Sequence, residues 1–366
     1  MILLACADPL DTGNAPVFDP LAAATAPGAY AVGHVEIDVA YDDPEGLPRT
    51  LRTAVWYPAS EAAGAYATYL YGTITSEVAR ESAPPATGPF PLVVFSHGHQ
   101  AFAEVSSFLM EHLASHGFVV VAPDHTNNTT FDGSDRSTTI YLQRPFDLTA
   151  VVDAVEAGGA GDLDTGSLLP STTGDVVAMG HSFGGYTVFA SAGTAYDVEG
   201  IDAACIAGEG GSVCTDWSND WSQRFAAGAA DERLVGILPM APGDYWLFDG
   251  GLAGLAVPAL LMTGAEDPER DADGASYWAA LSPPVAEVNA ACGGCDHGWV
   301  DVANAGHNEF TDFSGSLDDG GTIDPATGWN IVNAYALAFA ASVTGDDRYA
   351  PLLDGSTTVH ELATLH

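Results

Sequence analysis

The stretch that most constrains this chain is Gly180-His181-Ser182-Phe183-Gly184. It sits behind the apolar run Val176-Val177-Ala178-Met179 and ahead of a helix-compatible segment, Tyr186 to Ala192. A Gly-x-Ser-x-Gly pentapeptide alone is common by chance. Between a buried strand and a helix, it predicts a tight corner that lifts a serine hydroxyl above the edge of a sheet. Glycines flank the serine because bulky side chains there would collide with neighbouring backbone. Such a corner needs a sheet around it, and the rest of the chain predicts one. Residues 91–95, 118–122, 234–240 and 259–262 are short apolar runs, the pattern of strands buried on both faces. Helical patterns cover about 104–115, 145–157 with Asp147 as a plausible cap, and 329–342. Residues 33–41 and 50–57 alternate apolar with polar and suggest an opening antiparallel pair. Strands alternating with helices give a mostly parallel sheet covered on both faces, in one domain over 30–366. Residues 1–29 read as a signal remnant and flexible tether. Insertions at 194–232 and 283–297 lie where a lid or pocket wall forms.

A serine hydroxyl is a weak nucleophile until a base takes its proton, and the base needs an acid to fix its tautomer. In a doubly wound sheet these partners follow in the order Ser, acid, His. The acid expected here is Asp267, just past the strand pattern Pro258 to Gly264, with adjacent Glu266 as second choice. The base expected is His307, beside Gly306. Alone, Asp267 reads as a helix cap and His307 as a loop histidine; in this order, each after a strand, they read as partners of Ser182. Stabilising a tetrahedral oxyanion takes backbone donors. These are expected from the N–H of Phe183 and, in the loop Ser96-His97-Gly98-His99-Gln100, from that of His99. His97 and His99 alternate as chelating residues do, but no third ligand accompanies them; neither metal nor cofactor is expected. Tyr245, Trp246 and Phe248 follow another strand, either as an acyl or aromatic pocket or as ordinary packing.

Composition narrows the setting. Nine basic residues, all arginine, face 49 acidic ones, for a net charge of −40. Such a surface repels phosphate backbones, which excludes nucleic acid as an expected partner; solubility in a saline setting is the plain reading. Glu269, Asp271, Asp273 and Gly274 imitate half a calcium loop, but its twelfth position is Ala280, so no site is expected. Cys6 ends a Leu-Leu-Ala-Cys that looks like a bacterial lipoprotein signal lacking its charged start. It is a candidate lipid acceptor, giving an outer-membrane anchor, or else a chance match. Four cysteines remain, an even number suited to an oxidising compartment. Sequence proximity favours Cys205–Cys214 and Cys292–Cys295 among three connectivities. Cys292 and Cys295 could alternatively form a redox pair, or half a zinc site with His297. An extracellular or cell-envelope monomer is expected.

The anchors FSHGHQ (95–100), VVAPDH (120–125), RPFDLTAVVDAV (144–155), GHSFGG (180–185), LLMTGAEDP (260–268) and NAGHNEF (304–310) resemble the α/β-hydrolase superfamily. Within it, they are similar to the dienelactone-hydrolase-like and platelet-activating-factor-acetylhydrolase-like esterases, neighbours of bacterial cutinases and polyester hydrolases. The resemblance implies a cofactor-independent carboxylic ester hydrolase with Ser182, Asp267 and His307 as its triad, acting on small-molecule or polymeric esters. Dienelactone hydrolases proper use cysteine, so serine disfavours that activity. Phospholipid acetyl hydrolysis is the alternative within the fold. A metal-dependent hydrolase and a non-catalytic binding module are the alternatives outside it.

Overall fold

The computed structural model describes residues 18–133, 136–158, 169–248, 255–268, 297–317 and 319–366. Among the described residues eleven strands form one sheet: β1 Ala31–Asp42, β2 Pro48–Ala59, β3 Tyr66–Tyr69, β4 Ile74–Glu81, β5 Phe90–Ser96, β6 Val119–Pro123, β7 Thr172–His181, β8 Leu234–Met240, β9 Leu260–Gly264, β10 Gly298–Val302 and β11 Ala363–Leu365. Their spatial order is β11-β10-β9-β8-β7-β5-β6-β2-β1-β4-β3. From β6 to β10 every pairing is parallel, and β2 and β11 close this block antiparallel on either side. After β5 the chain moves to one side for β6 and returns to the other for β7. The carboxyl ends of β5 and β7 therefore flank the switch point where open sheets of this kind form their crevice.

Side chains alternate across each central strand, so the sheet carries two cores. Val93, Phe95, Val177 and Met179 face helices α2 (Ser107–Ser115) and α7 (Pro325–Val343). Leu92, Val94, Val176 and Ala178 face α3 (Thr138–Glu156) and α4 (Phe183–Ser191). The segment read as a tether carries a short helix, α1 (Pro20–Thr25). Asp19 caps it by accepting from the N–H groups of Leu21 and Ala22, and Ala24 is fully buried. Cys6 lies outside the described residues, as do Cys292, Cys295 and most of the 283–297 insertion.

Two expectations change. Asp147 caps no helix: α3 starts at Thr138 and runs through Pro145, which leaves Asp147 in its middle, fully buried. The 194–232 insertion folds as α5 (Val198–Ala207), a 3-10 turn (Gly211–Cys214) and α6 (Asn219–Ala227), with Cys205 and Cys214 joined in a disulfide. Its apolar residues Ile201, Val213, Trp221 and Phe225 are committed to the α3/α4 core. The Thr138 hydroxyl donates to the Val213 carbonyl at 2.6 Å and fixes the insertion there. A segment that docks this way braces a helix layer.

Candidate active site

Ser182 stands between β7 and α4 with φ +55° and ψ −120°. Left-handed backbone at a residue bearing a Cβ costs about 1–2 kcal/mol and persists only where its surroundings enforce it. They do here. A Cβ on Gly180 would sit 2.2 Å from the Gly184 carbonyl oxygen, and one on Gly184 would sit 1.9 Å from that of Ser96. The Ser182 N–H donates to the Met240 carbonyl at 2.9 Å, which ties the corner to β8. The sequence-predicted elbow is thus present, with α4 opening at Phe183.

The expected acid and base are brought together. His307 begins a 3-10 turn after β10, Asp267 follows β9, and His307 Nδ1 lies 2.8 Å from Asp267 Oδ2. Asp267 is buried while His307 is partly open to solvent. With Nδ1 donating to the carboxylate, Nε2 is left as the acceptor. Ser182, His307, Gly98 and His99 all line one cavity of about 440 Å³. A Cβ added to Gly98 would fall 3.4 Å from the Ser182 Cβ, so the chain at Gly98 lies against the Ser182 corner. His181 Nε2 reaches the His307 carbonyl at 2.8 Å and fastens the base's loop to the elbow. Burial, and then neighbouring His307, push the His181 pKa down to about 3, so it serves as a neutral donor.

Other cavity walls come from residues that sequence reasoning missed, among them Leu70, Phe102, Val105, Phe131, Phe313 and Leu317. Phe131 pairs edge-to-face with Tyr71 at 4.6 Å, and both rings are more than half exposed. Among the described residues the lining contains no carboxylate and no arginine. Tyr245, Trp246 and Phe248 are not part of it. Phe248 is fully buried and stacked on Tyr186, and the other two are half-buried against the α3/α4 core.

A second Ser-His-Asp string runs beneath the site. Ser96 Oγ is 2.9 Å from His125 Nε2, and His125 Nδ1 is 2.8 Å from Asp147 Oδ2. All three residues are fully buried. Asp147 also accepts from Arg49 Nε (2.6 Å) and Nη2 (2.8 Å) and from the Tyr41 hydroxyl. Its carboxylate is thus the hub of an interior ion-pair network. His97 uses both ring nitrogens in the same layer: Nε2 accepts from the His125 N–H at 3.0 Å, and Nδ1 therefore donates to the Gly98 carbonyl at 2.7 Å. His99 Nδ1 meets Asn128 Nδ2 at 2.9 Å. No group of three or more His, Cys, Asp or Glu able to hold a metal occurs among the described residues.

These buried imidazoles give stability a pH signature. Desolvation holds His97 and His125 far below their usual pKa and brings His112, like His181, to about 3. Each stays neutral in the fold but takes a proton when unfolded, so stability is complete above pH 6.5 and lost as pH falls toward 3. The slope is up to about 1.4 kcal/mol per pH unit for each histidine. Glu309, raised by burial to about 7, and Asp312, to about 6, work the other way, with lesser upward shifts at Glu111 and Asp124. Their protons bind the fold before the unfolded chain, so acidification relieves them. The four histidines outweigh the two carboxyls that titrate near neutrality. The urea midpoint is expected to fall between pH 7 and pH 5, by more than about 2 kcal/mol of unfolding free energy; a flat or rising midpoint contradicts neutral buried imidazoles.

Strand order, the corner at Ser182 and the His307–Asp267 pair give this chain the α/β-hydrolase fold, with a serine and a carboxylate-paired imidazole brought to one cavity. A family model described as chlorophyllase matches residues 78–207, which include the elbow but neither Asp267 nor His307. The platelet-activating factor acetylhydrolase of Cavia porcellus is 37% identical over 86 residues, covering 23% of this chain and 18% of that protein. Chlorophyllase type 0 of Chenopodium album is 30% identical over 115 residues, 30% of each chain. The chain thus spans less than a third of the length of these curated relatives. A ferulic acid esterase from Streptomyces cinnamoneus shares the fold, with a TM-score of 0.59 over 93% of this chain and 98% of that one at 22% identity.

Proposed function

We propose that this chain is a serine-dependent carboxylic ester hydrolase working through an acyl-enzyme on Ser182. The observation that carries the reading is that His307, paired with Asp267 at 2.8 Å, lines the same cavity as a serine held at φ +55°. Ser182 Oγ attacks the ester carbonyl as His307 Nε2 takes its proton, and Asp267 supports the imidazolium. The N–H groups of Phe183 and His99 receive the oxyanion. His307 then protonates the leaving alcohol and activates the water that frees the acid. The apolar side chains of Leu70, Phe102, Val105, Phe313 and Leu317 in the lining and the exposed Phe131–Tyr71 pair support uncharged, apolar esters as substrates. Polyesters are one such class. Phospholipid acetyl esters are the second reading, supported by the matched segment of the acetylhydrolase.

The reading includes export, supported by the Cys205–Cys214 disulfide, with Cys6 as lipid acceptor and the monomer as the working unit. No described helix is long and apolar enough to cross a membrane. Treatment with an organophosphate is expected to place one phosphoryl group on the peptide containing Ser182 and to abolish turnover of a short-chain chromogenic ester, while a chelator leaves turnover intact. Labelling elsewhere with activity lost, or loss to the chelator, contradicts the reading.

A further inference from the structure

Arg144 is a fully buried arginine for which the reaction above has no use. It projects from the middle of α3 to a point directly under the active-site floor. Nη2 donates to Ser96 Oγ at 3.0 Å and to the His97 carbonyl, and Nη1 donates to Asn128 Oδ1 at 2.9 Å. The guanidinium also lies over the ring of Phe183, 4.7 Å from its centroid. Burial lowers its pKa to about 9, which leaves it charged at neutral pH. A desolvated cation whose hydrogen-bond acceptors are a hydroxyl, a carbonyl and an amide costs stability, which the nearby Asp147 carboxylate offsets in part, so its retention calls for a reason.

The partners supply that reason. Since Nη1 fixes the amide oxygen of Asn128, its Nδ2 must point the other way, where it donates to His99 Nδ1. The His97 carbonyl anchors the chain one residue before Gly98. The Gly98 carbonyl is held in turn by His97 Nδ1 and by the Ala101 N–H at 3.2 Å. In a trans peptide the C=O and the following N–H point in opposite directions, so holding the Gly98 oxygen inward sets the direction of the His99 N–H. Phe183 carries the other expected donor on its own backbone, and its ring is packed between Tyr186, stacked at 5.2 Å, and Tyr141, edge-on at 4.9 Å. The string Ser96–His125–Asp147 fixes the hydroxyl that Arg144 holds. With Nδ1–H of His125 committed to Asp147, its Nε2 accepts the Ser96 proton and turns the Ser96 lone pairs toward Nη2.

We propose that Arg144 is a positioning residue that braces both halves of the oxyanion site, through the His97 carbonyl and Asn128 on one side and the face of Phe183 on the other. The inference rests on the esterase reading: it requires that the N–H groups of His99 and Phe183 receive the oxyanion. Removing one such donor outright costs about 100- to 1,000-fold in kcat, so a donor left in place but loosely aimed costs less, about 10- to 100-fold.

The test compares Arg144→Lys, Asn128→Ala and Tyr57→Phe in the full chain. Tyr57→Phe removes a buried hydrogen bond to the Ala83 carbonyl in the β1/β2 region and serves as the stability control. Arg144→Lys keeps the charge and loses the fork. Asn128→Ala leaves Arg144 in place and cuts the link to His99, so it carries the test if Arg144→Lys fails to fold. Both are expected to lower kcat for a short-chain ester by about 10- to 100-fold, with KM changed less than about threefold. Both should weaken a trifluoromethyl ketone, whose adduct places an alkoxide in the oxyanion site, in proportion to the loss in kcat/KM. Tyr57→Phe is expected to lower the melting temperature with kcat unchanged. If kcat of Asn128→Ala stays within about twofold of wild type, or if ketone affinity does not follow kcat/KM, the brace is wrong. A wild-type enzyme that hydrolyses no ester overturns the esterase reading instead, a distinct result.

Discussion

Replacing Ser182 with alanine is expected to lower kcat for a short-chain ester by about 10,000-fold or more, while Ser96→Ala retains more than about 1% of wild-type turnover. The contrast is informative because both serines belong to Ser-His-Asp sets. Ser96, His125 and Asp147 are linked end to end by hydrogen bonds of 2.9 and 2.8 Å, yet each is sealed from solvent. A nucleophile must reach a carbonyl carbon, and nothing in that layer opens to the cavity lined by Ser182 and His307. Ser96→Ala instead leaves His125 Nε2 without its donor and Arg144 without one acceptor, a stability loss of about 1–3 kcal/mol. The kcat of each variant, measured with its melting temperature, separates the roles. The assignment is reversed if Ser96→Ala eliminates turnover and Ser182→Ala preserves it.

Asp147→Ala is expected to destabilise the fold by about 3–5 kcal/mol. Its carboxylate receives two bonds from Arg49, one from His125 and one from Tyr41. Removing it strands a guanidinium that is itself buried, together with an imidazole N–H and a phenol. Domains of ordinary stability hold about 5–15 kcal/mol, so this single change takes a large part of the total. Urea denaturation gives the value directly. A loss below about 1 kcal/mol would mean that water replaces the carboxylate and that the network is less closed than its geometry indicates.

The contrast between Asp147 and Asp267 explains what could be read from sequence. Asp267 follows an apolar strand, and the elbow fixes the order in which acid and base must come, so local pattern and chain order pick it out. Asp147 follows Pro145, and a proline near the start of a periodic segment normally marks a helix N-terminus. Here the helix runs through it, and the partners that make a buried carboxylate tolerable are remote, Arg49 lying 98 residues away. No local signal carries such a pairing. The aromatic trio of 245–248 shows the same limit. A strand end marks where a pocket belongs, but whether a ring lines it or packs behind it is decided by what faces it, and Phe248 meets Tyr186. The cavity walls come from turns at 70, 102–105, 131 and 313–317, which no shared periodicity connects.

The corner at residue 182 is shaped without any contribution from the serine hydroxyl. Gly180 against Gly184, Gly184 against Ser96 and the hydrogen bond from the Ser182 N–H to the Met240 carbonyl set its backbone, and each is a relation between main-chain atoms. Scaffold and warhead are therefore separable. On the esterase reading, a cysteine at this position inherits the same turn and shares the same cavity with the His307 imidazole. Exchange between hydroxyl and thiol at this corner is a one-residue step that leaves the close approaches at Gly180 and Gly184 as they are.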